Sequence, residues 1–230
     1  LRGPLPLQWV RQYRTSAVRR RCGLGWGWSH SFAYAAQVVG SEVVVADPDG
    51  ISMRFPLVDH DQIAYAPFGH SLARAGGDLV LTTQDGVQRV LRADGPRSYR
   101  LAEVRDRAGN TTELEWRDGE LVALTDCVGR RVERERSHNV EVLRLALTDG
   151  DGREHRLLCA SYEYDQRGDL VRAIAPARPP STATTTSIFS CRSRGRTASS
   201  TASSIRTGQM AGAAAWRPGV SCRGATSSPS

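Results

Sequence analysis

The sequence predicts an all-β protein: antiparallel hairpin repeats over residues 41–177, preceded by a segment of different texture at 1–40 and followed by a basic tail at 178–230. Three observations carry that prediction. Apolar and polar residues alternate with a period of two, which turns one face of each strand toward a core. Turns rich in Asp-Gly separate the alternating stretches, and that pair supplies the positive φ that tight hairpins demand. No segment before residue 177 carries a convincing 3.6-residue apolar period.

Taken in order, Val43 and Val45 precede the turn ADPDG (46–50), and Ile51, Met53 and Phe55 follow it on one face. Leu79 and Leu81 lead into TQDG (83–86), with Val87 and Leu91 beyond it. Thr112, Leu114 and Trp116 lead into RDGE (117–120), and Val122 and Leu124 come after. The charged stretch GRRVERERSHNVEVLRL (129–145) is the one place for a helix, but Val140, Val142, Leu143 and Leu145 read as a strand with a slip. Leu143, Leu145 and Leu147 precede DGDG (149–152), and Leu158, Ala160, Tyr162 and Tyr164 form the next strand. A last turn, DQRG (165–168), leads to Leu170. Strands of about 5–6 residues at this spacing imply an antiparallel sheet.

The tail differs in kind. All 24 acidic residues lie between Glu42 and Asp169, and all 31 basic residues are arginine. Residues 1–177 balance 24 arginines against 24 acids, so the net charge of +7 belongs to the seven arginines of the tail. A basic balance suggests nucleic acid or a membrane surface, and here that argument attaches to residues 178–230 alone. Ser, Thr and Ala supply 28 of these 53 residues, too little apolar surface to offset chain entropy, and disorder is the expectation. Reading out of frame accounts for the same composition. Shifted by two bases, Gln209-Met210-Ala211 must encode Asn or Asp followed by Gly, the turn pair of the repeats. A frameshift near residues 175–182 is therefore expected.

Five widely spaced cysteines, Cys22, Cys127, Cys159, Cys191 and Cys222, without a CxxC pair, argue for free thiols in a reducing compartment. No apolar run reaches membrane-spanning length and no signal-peptide pattern opens the chain, whose start on Leu1 suggests a piece of a longer protein. GLGWGWSH (23–30) spaces Gly23, Gly25 and Gly27 like part of a phosphate-cradling loop, but Trp28-Ser29-His30 then favours a turn packed by Trp26 and Trp28. Asp47, Asp49, Asp149 and Asp151 fail as calcium loops, because Ile51 and Arg153 take the third ligand positions. His30, His60, His70, His138 and His155 lack metal spacing. RRRC (19–22) reads as a solvated loop before it reads as an activated Cys22, and Asn110-Thr111-Thr112 is a glycosylation pattern without a secretory signal. No residue set has the makings of a catalytic site, so a non-enzymatic protein without a cofactor is expected.

Within SYEYDQRGDLVRAI (161–174), Tyr164-Asp165 followed by Gly168 and Leu170 resembles the YD repeat, roughly Y-D-x-x-G-x-L, of the Rhs family. RDRAGNTTELEW (105–116) and WRDGELVALTDCVGRRVERE (116–135) are weaker copies. In the second, Trp116 stands where Tyr is usual, Gly119 sits in the turn, and Asp126, Gly129 and Arg130 resemble a D-x-x-G-R half. The opening LPLQWVRQYRTSAVRRRCGLGWGWSHSF (5–32), with Trp9, Gly25, Trp28, Ser29 and His30, is similar to the start of the Rhs core. The resemblance covers about residues 4–176. It implies the start of a YD-repeat β-shell, a long sheet spiralling into a hollow wall around a C-terminal toxin that a type VI secretion machine delivers into rival bacteria. The implied partners are the remaining YD repeats and the toxin domain, with a secretion spike and a chaperone, and no specific nucleic acid or membrane. The implied location is the cytoplasm of the producing bacterium, until delivery with the full-length protein. The family's self-cleavage segment lies beyond these residues, so no catalytic residue is carried over.

Two other functions are compatible with the residues. One is a carbohydrate-binding β module at the cell surface, using Trp9, Trp26 and Trp28. The other is nucleic-acid binding through the basic tail.

Overall fold

The computed structural model describes residues 1–175 except Arg2, Arg20, Cys22 and Asp61, together with a two-residue strand at Ser193–Arg194. Beyond that strand, the expected disorder and frameshift of the tail lie outside the described residues. The expected fold class is what the structure shows: antiparallel β-sheet, with no α-helix among the described residues and only short 3-10 turns at Thr15–Ala17 and Pro67–Gly69.

A small sheet pairs β1 (Arg11–Tyr13) with β2 (Trp28–His30), and Ser193–Arg194 lies parallel to β1 on its other side. The 14-stranded main sheet holds everything else. Its first hairpins are β3 (Ala35–Val39), β4 (Glu42–Ala46) and β5 (Ser52–Pro56), then β6 (Ile63–Ala66), β7 (His70–Ala75), β8 (Asp78–Thr82) and β9 (Gln88–Ala93). After them come β10 (Ser98–Arg105), β11 (Thr111–Arg117), β12 (Glu120–Thr125), β13 (Arg131–Ser137), β14 (Val140–Thr148), β15 (Glu154–Tyr164) and β16 (Leu170–Ile174).

The long strand β10 is a fork. One edge pairs with β9 along its whole length, while the other pairs with β3 through Ser98–Arg100 and with β11 through Glu103–Arg105. A bulge at Ala102, between paired Leu101 and Glu103, marks the point of divergence. There the Leu101 N–H donates to the Tyr34 carbonyl, and the Leu101 carbonyl accepts the Trp116 indole N–H at 2.7 Å. Both polar groups released by the fork are thus satisfied, as buried backbone requires. On one side of the fork, ladders run from β10 through β3 and β4 to β5, and through β9, β8 and β7 to β6, with β5 and β6 touching. On the other side, β11 to β16 follow one another in chain order.

One turn design recurs. At Asp47, Thr83, Asp106, Asp126, Asp149 and Asp165, the residue's N–H donates to the carbonyl four residues on, and its carbonyl accepts from the N–H of a glycine three residues on. That is a type I turn with Asp favoured at its first position and Gly at its fourth. The carboxylates of Asp106, Asp126, Asp149 and Asp165 also accept two backbone N–H groups each. The expected Asp-Gly neighbours are therefore secondary at most of these turns, where the working pair is Asp and Gly three apart. Only RDGE behaves as the adjacent pair predicts, with Asp118 and Gly119 both at positive φ. Asp47 and Asp149, weighed above as calcium ligands, are these turn aspartates.

The core is one apolar cluster drawn from both sides of the fork. Bulges correct the expected faces in two places. Trp116 pairs with Leu121 and Glu115 with Ala123, so Val122 is the extra residue and Leu121 joins Leu124 in the core. Likewise Leu143 pairs with Ala160 and Arg144 with Leu158, which makes Cys159 the extra residue and leaves Leu158 exposed. Ile51 lies in a turn, outside β5, and is exposed. The charged stretch at 129–145 is a hairpin, β13 and β14, that reverses at His138 (φ 51°).

Candidate functional site

Residues 1–32 carry little regular structure, yet they hold Trp9 and Trp28, the buried tryptophans among the described residues. Trp9 is fully buried and stacks on His30, with ring centroids 4.5 Å apart and planes 11° from parallel. Its indole N–H donates to the Tyr162 phenol oxygen at 2.9 Å. A buried tryptophan with its one donor satisfied anchors the N-terminal segment to the core face of β15. Trp28 is buried beside Tyr13, and the Ser29 hydroxyl donates to the Pro48 carbonyl at 2.6 Å. The segment thus clips the β4–β5 turn at one end and the β15–β16 hairpin at the other.

GLGWGWSH makes close approach possible. Gly23, Gly25 and Gly27 all hold positive φ. A Cβ on Gly25 would lie 2.7 Å from the Gly168 carbonyl oxygen and 3.1 Å from the Tyr164 ring. One residue on, the Trp26 indole N–H donates to the Arg167 carbonyl at 2.9 Å, with the Arg21 guanidinium over the Trp26 ring. A Cβ on Gly168 would in turn meet Arg21 at 2.9 Å. The glycine-rich opening is therefore shaped to the β15–β16 turn.

Beneath this contact lies a buried charge pair. The Arg134 guanidinium donates twice to Glu141, at 2.8 Å for each bond, and also to the Gly23 carbonyl, the Leu121 carbonyl and Glu120. The Tyr164 hydroxyl completes the group on Glu141 at 3.2 Å. Two opposite charges out of water hold only when geometry and extra hydrogen bonds are this complete. Burial alone would lower the Arg134 pKa, but the bonds and charge of Glu141, helped by Glu120, raise it, so the guanidinium stays charged. Burial, with the nearby Glu141 charge, pushes the Tyr164 phenol far up. Burial, then the nearby Arg134 cation, pushes His30 down to about 3, so its imidazole is neutral and accepts the Phe32 N–H at Nδ1.

The two sets of motif residues, far apart in sequence, meet here. Gly25 of the opening lies against Tyr164 and Gly168, Trp9 bonds Tyr162 on the same strand, and His30 stacks on Trp9. Trp28 and Ser29 stand on the same segment toward Pro48. Asp165 builds the turn that receives Trp26, and Leu170 pairs with Tyr164 across it. Asp126 and Gly129 form another turn of the same design, where Arg130 grips the second Asp126 oxygen at 2.7 Å. Trp116 and Gly119 sit apart, Trp116 at the fork and Gly119 in the β11–β12 turn. Arg134, Glu141 and Tyr162 are absent from the motifs. Their signal is phase: Arg134 follows Val132, and Glu141 precedes Leu143, on the inward positions of their strands. Trp9 and Trp28 are buried and Trp26 is half-covered, so the three present no open aromatic platform.

Fold and site together define a class: an antiparallel repeat-hairpin protein whose N-terminal segment clasps its own sheet. A family model described as Domain of unknown function (DUF6531) matches residues 1–55. The match takes in the whole clasp, β3, β4 and nearly all of β5. No curated protein matches the chain.

Proposed function

We propose that the chain is a non-enzymatic structural part of an Rhs/YD-repeat toxin-delivery protein, supplying the first strands of a shell that encloses a C-terminal toxin in competition between bacteria. The observation that carries this reading is the order of the row. From β10 to β16 each strand pairs with its neighbours in sequence, four of the six turns share one design, and among the described residues nothing pairs with the outer edge of β16. A hairpin of this kind buries its apolar face only by sharing a sheet with the next, which is the logic of repeat proteins. The clasp supports the same reading, since it covers the inner face of β15 and the β15–β16 turn while, among the described residues, no strand pairs with the outer edge of β16. The remaining repeats and the toxin are then the partners, with delivery machinery engaging the whole protein.

The test begins with the coding DNA from codon 160 onward, translated in all three frames. A shifted frame that resumes Tyr-Asp and Gly-turn strands near codon 180 is the expected result. The uninterrupted product should then appear in electron micrographs as a hollow particle with these hairpins in its wall. A solid particle, or no frame that resumes the repeats, overturns the reading.

A further inference from the structure

β15 is longer than its last partner. On one side it pairs with β14 from Glu154 to Glu163, and on the other it meets β16 only through Ser161–Tyr164. Among the described residues nothing pairs with the outer edge of Glu154–Leu158. The side chains report the gap. Leu157 stands opposite Leu145, a core residue, and so points to the core face, yet it is 46% exposed. Leu158 is 43% exposed, while the next two residues, Cys159 and Ala160, are buried. An unpaired strand edge with half-covered leucines on both faces is a template for one more strand.

The geometry points to Glu154–Leu158 as a strand-accepting edge whose occupant is a direct continuation of β16. The inference deepens the shell reading, on which it rests for the occupant belonging to the same polypeptide. β16 runs antiparallel to β15, with Ile174 opposite Ser161. The residues after Ile174 would therefore track back along Ala160, Leu158 and Leu157 if the strand went on. Their chemistry must be that of a sheet strand: backbone donors throughout and an apolar side chain beside Leu157. In this chain those positions read Ala175-Pro176-Ala177-Arg178-Pro179-Pro180. Proline has no N–H to give a ladder, so Pro176, Pro179 and Pro180 each remove a donor from that stretch of sequence. The edge is built for a sequence other than the one that follows it.

Hydrogen exchange at Glu154–Leu158 tests this, comparing the 230-residue chain with its Pro176→Val, Pro179→Val, Pro180→Thr variant. The parent should exchange rapidly there, and the variant at least about tenfold more slowly, while remaining a monomer. Hydrogen exchange at Trp9 and Tyr162, read in the same experiment, confirms that the clasp is intact in both. If the substitutions disturb it, the same readout is taken on the parent with an added peptide of alternating valine and threonine. Unchanged exchange overturns the inference. So does slow exchange already present in the parent, and if it grows with protein concentration a second copy holds the edge. The shell reading fails by a separate result, a particle that is not hollow.

Discussion

The Trp9 indole N–H and the Tyr162 phenol oxygen, 153 residues apart, are joined by a 2.9 Å hydrogen bond inside the core. Trp9→Phe keeps an aromatic ring against His30 but removes the donor, and Tyr162→Phe removes its acceptor. Each should cost about 1–3 kcal/mol in urea unfolding, the scale of a buried polar group losing its partner. The double variant should cost clearly less than the two together, because the second change removes an interaction already lost. Additive losses would show that the bond contributes nothing of its own.

Glu141→Gln removes one charge of the buried pair and leaves the Arg134 guanidinium with only the exposed Glu120 carboxylate as counter-ion. The expected loss is about 3–5 kcal/mol. Arg134→Met combined with Glu141→Leu removes both charges and should be less damaging than Glu141→Gln, read as the urea midpoint. A double variant worse than the single would mean that the Arg134 bond to the Gly23 carbonyl outweighs the pairing.

His30 links the clasp to pH. Folded, it is neutral down to about 3, whereas the unfolded imidazole takes up a proton below 6.5. The unfolded state therefore binds more protons between these values. Stability present above pH 6.5 is lost as pH falls through that window, by about 1.4 kcal/mol per unit. His30→Phe should remove this slope while leaving the carboxylate contributions, so the two chains should converge as pH drops from 6.5 to 4. Parallel pH profiles would show that His30 is not held neutral.

Three glycines at positive φ should rank by what a methyl group meets. Gly152→Ala enters open space and carries the backbone strain alone, about 1–2 kcal/mol. Gly168→Ala also displaces the tip of Arg21, and Gly25→Ala strikes the Gly168 backbone. Thermal melts should place Gly25→Ala lowest, then Gly168→Ala, then Gly152→Ala. Equal melting points would show that the clasp does not press on the β15–β16 turn.

Strands were legible because alternation is a local pattern, and the inward runs at Val43 and Val45, Leu79 and Leu81, and Leu143 and Leu145 are buried as that pattern implies. Bulges were not, since an extra residue such as Val122 or Cys159 looks like any other and flips the face of what precedes it. At the turns, neighbouring Asp-Gly pairs are the visible pattern in sequence, while the hydrogen bonds mostly join Asp to a glycine three positions on. The motifs mark Trp9, Gly25, His30, Tyr164 and Gly168 separately. Nothing local could say that they touch, because strand order and the β10 fork decide which distant residues share a face.

The clasp also sets an order of events for a chain leaving the ribosome. Each strand from β11 to β16 needs only the one just made, so the row can assemble as it emerges, through short loop closures. Trp9 and Gly25 are made well before the Tyr162 and Gly168 surface that receives them. Until β15 and β16 exist, Trp9 and Gly25 lack the surface that receives them, and apolar side chains bare for that interval are exposed to aggregation. The clasp is made before the strands it closes on, and it docks after them.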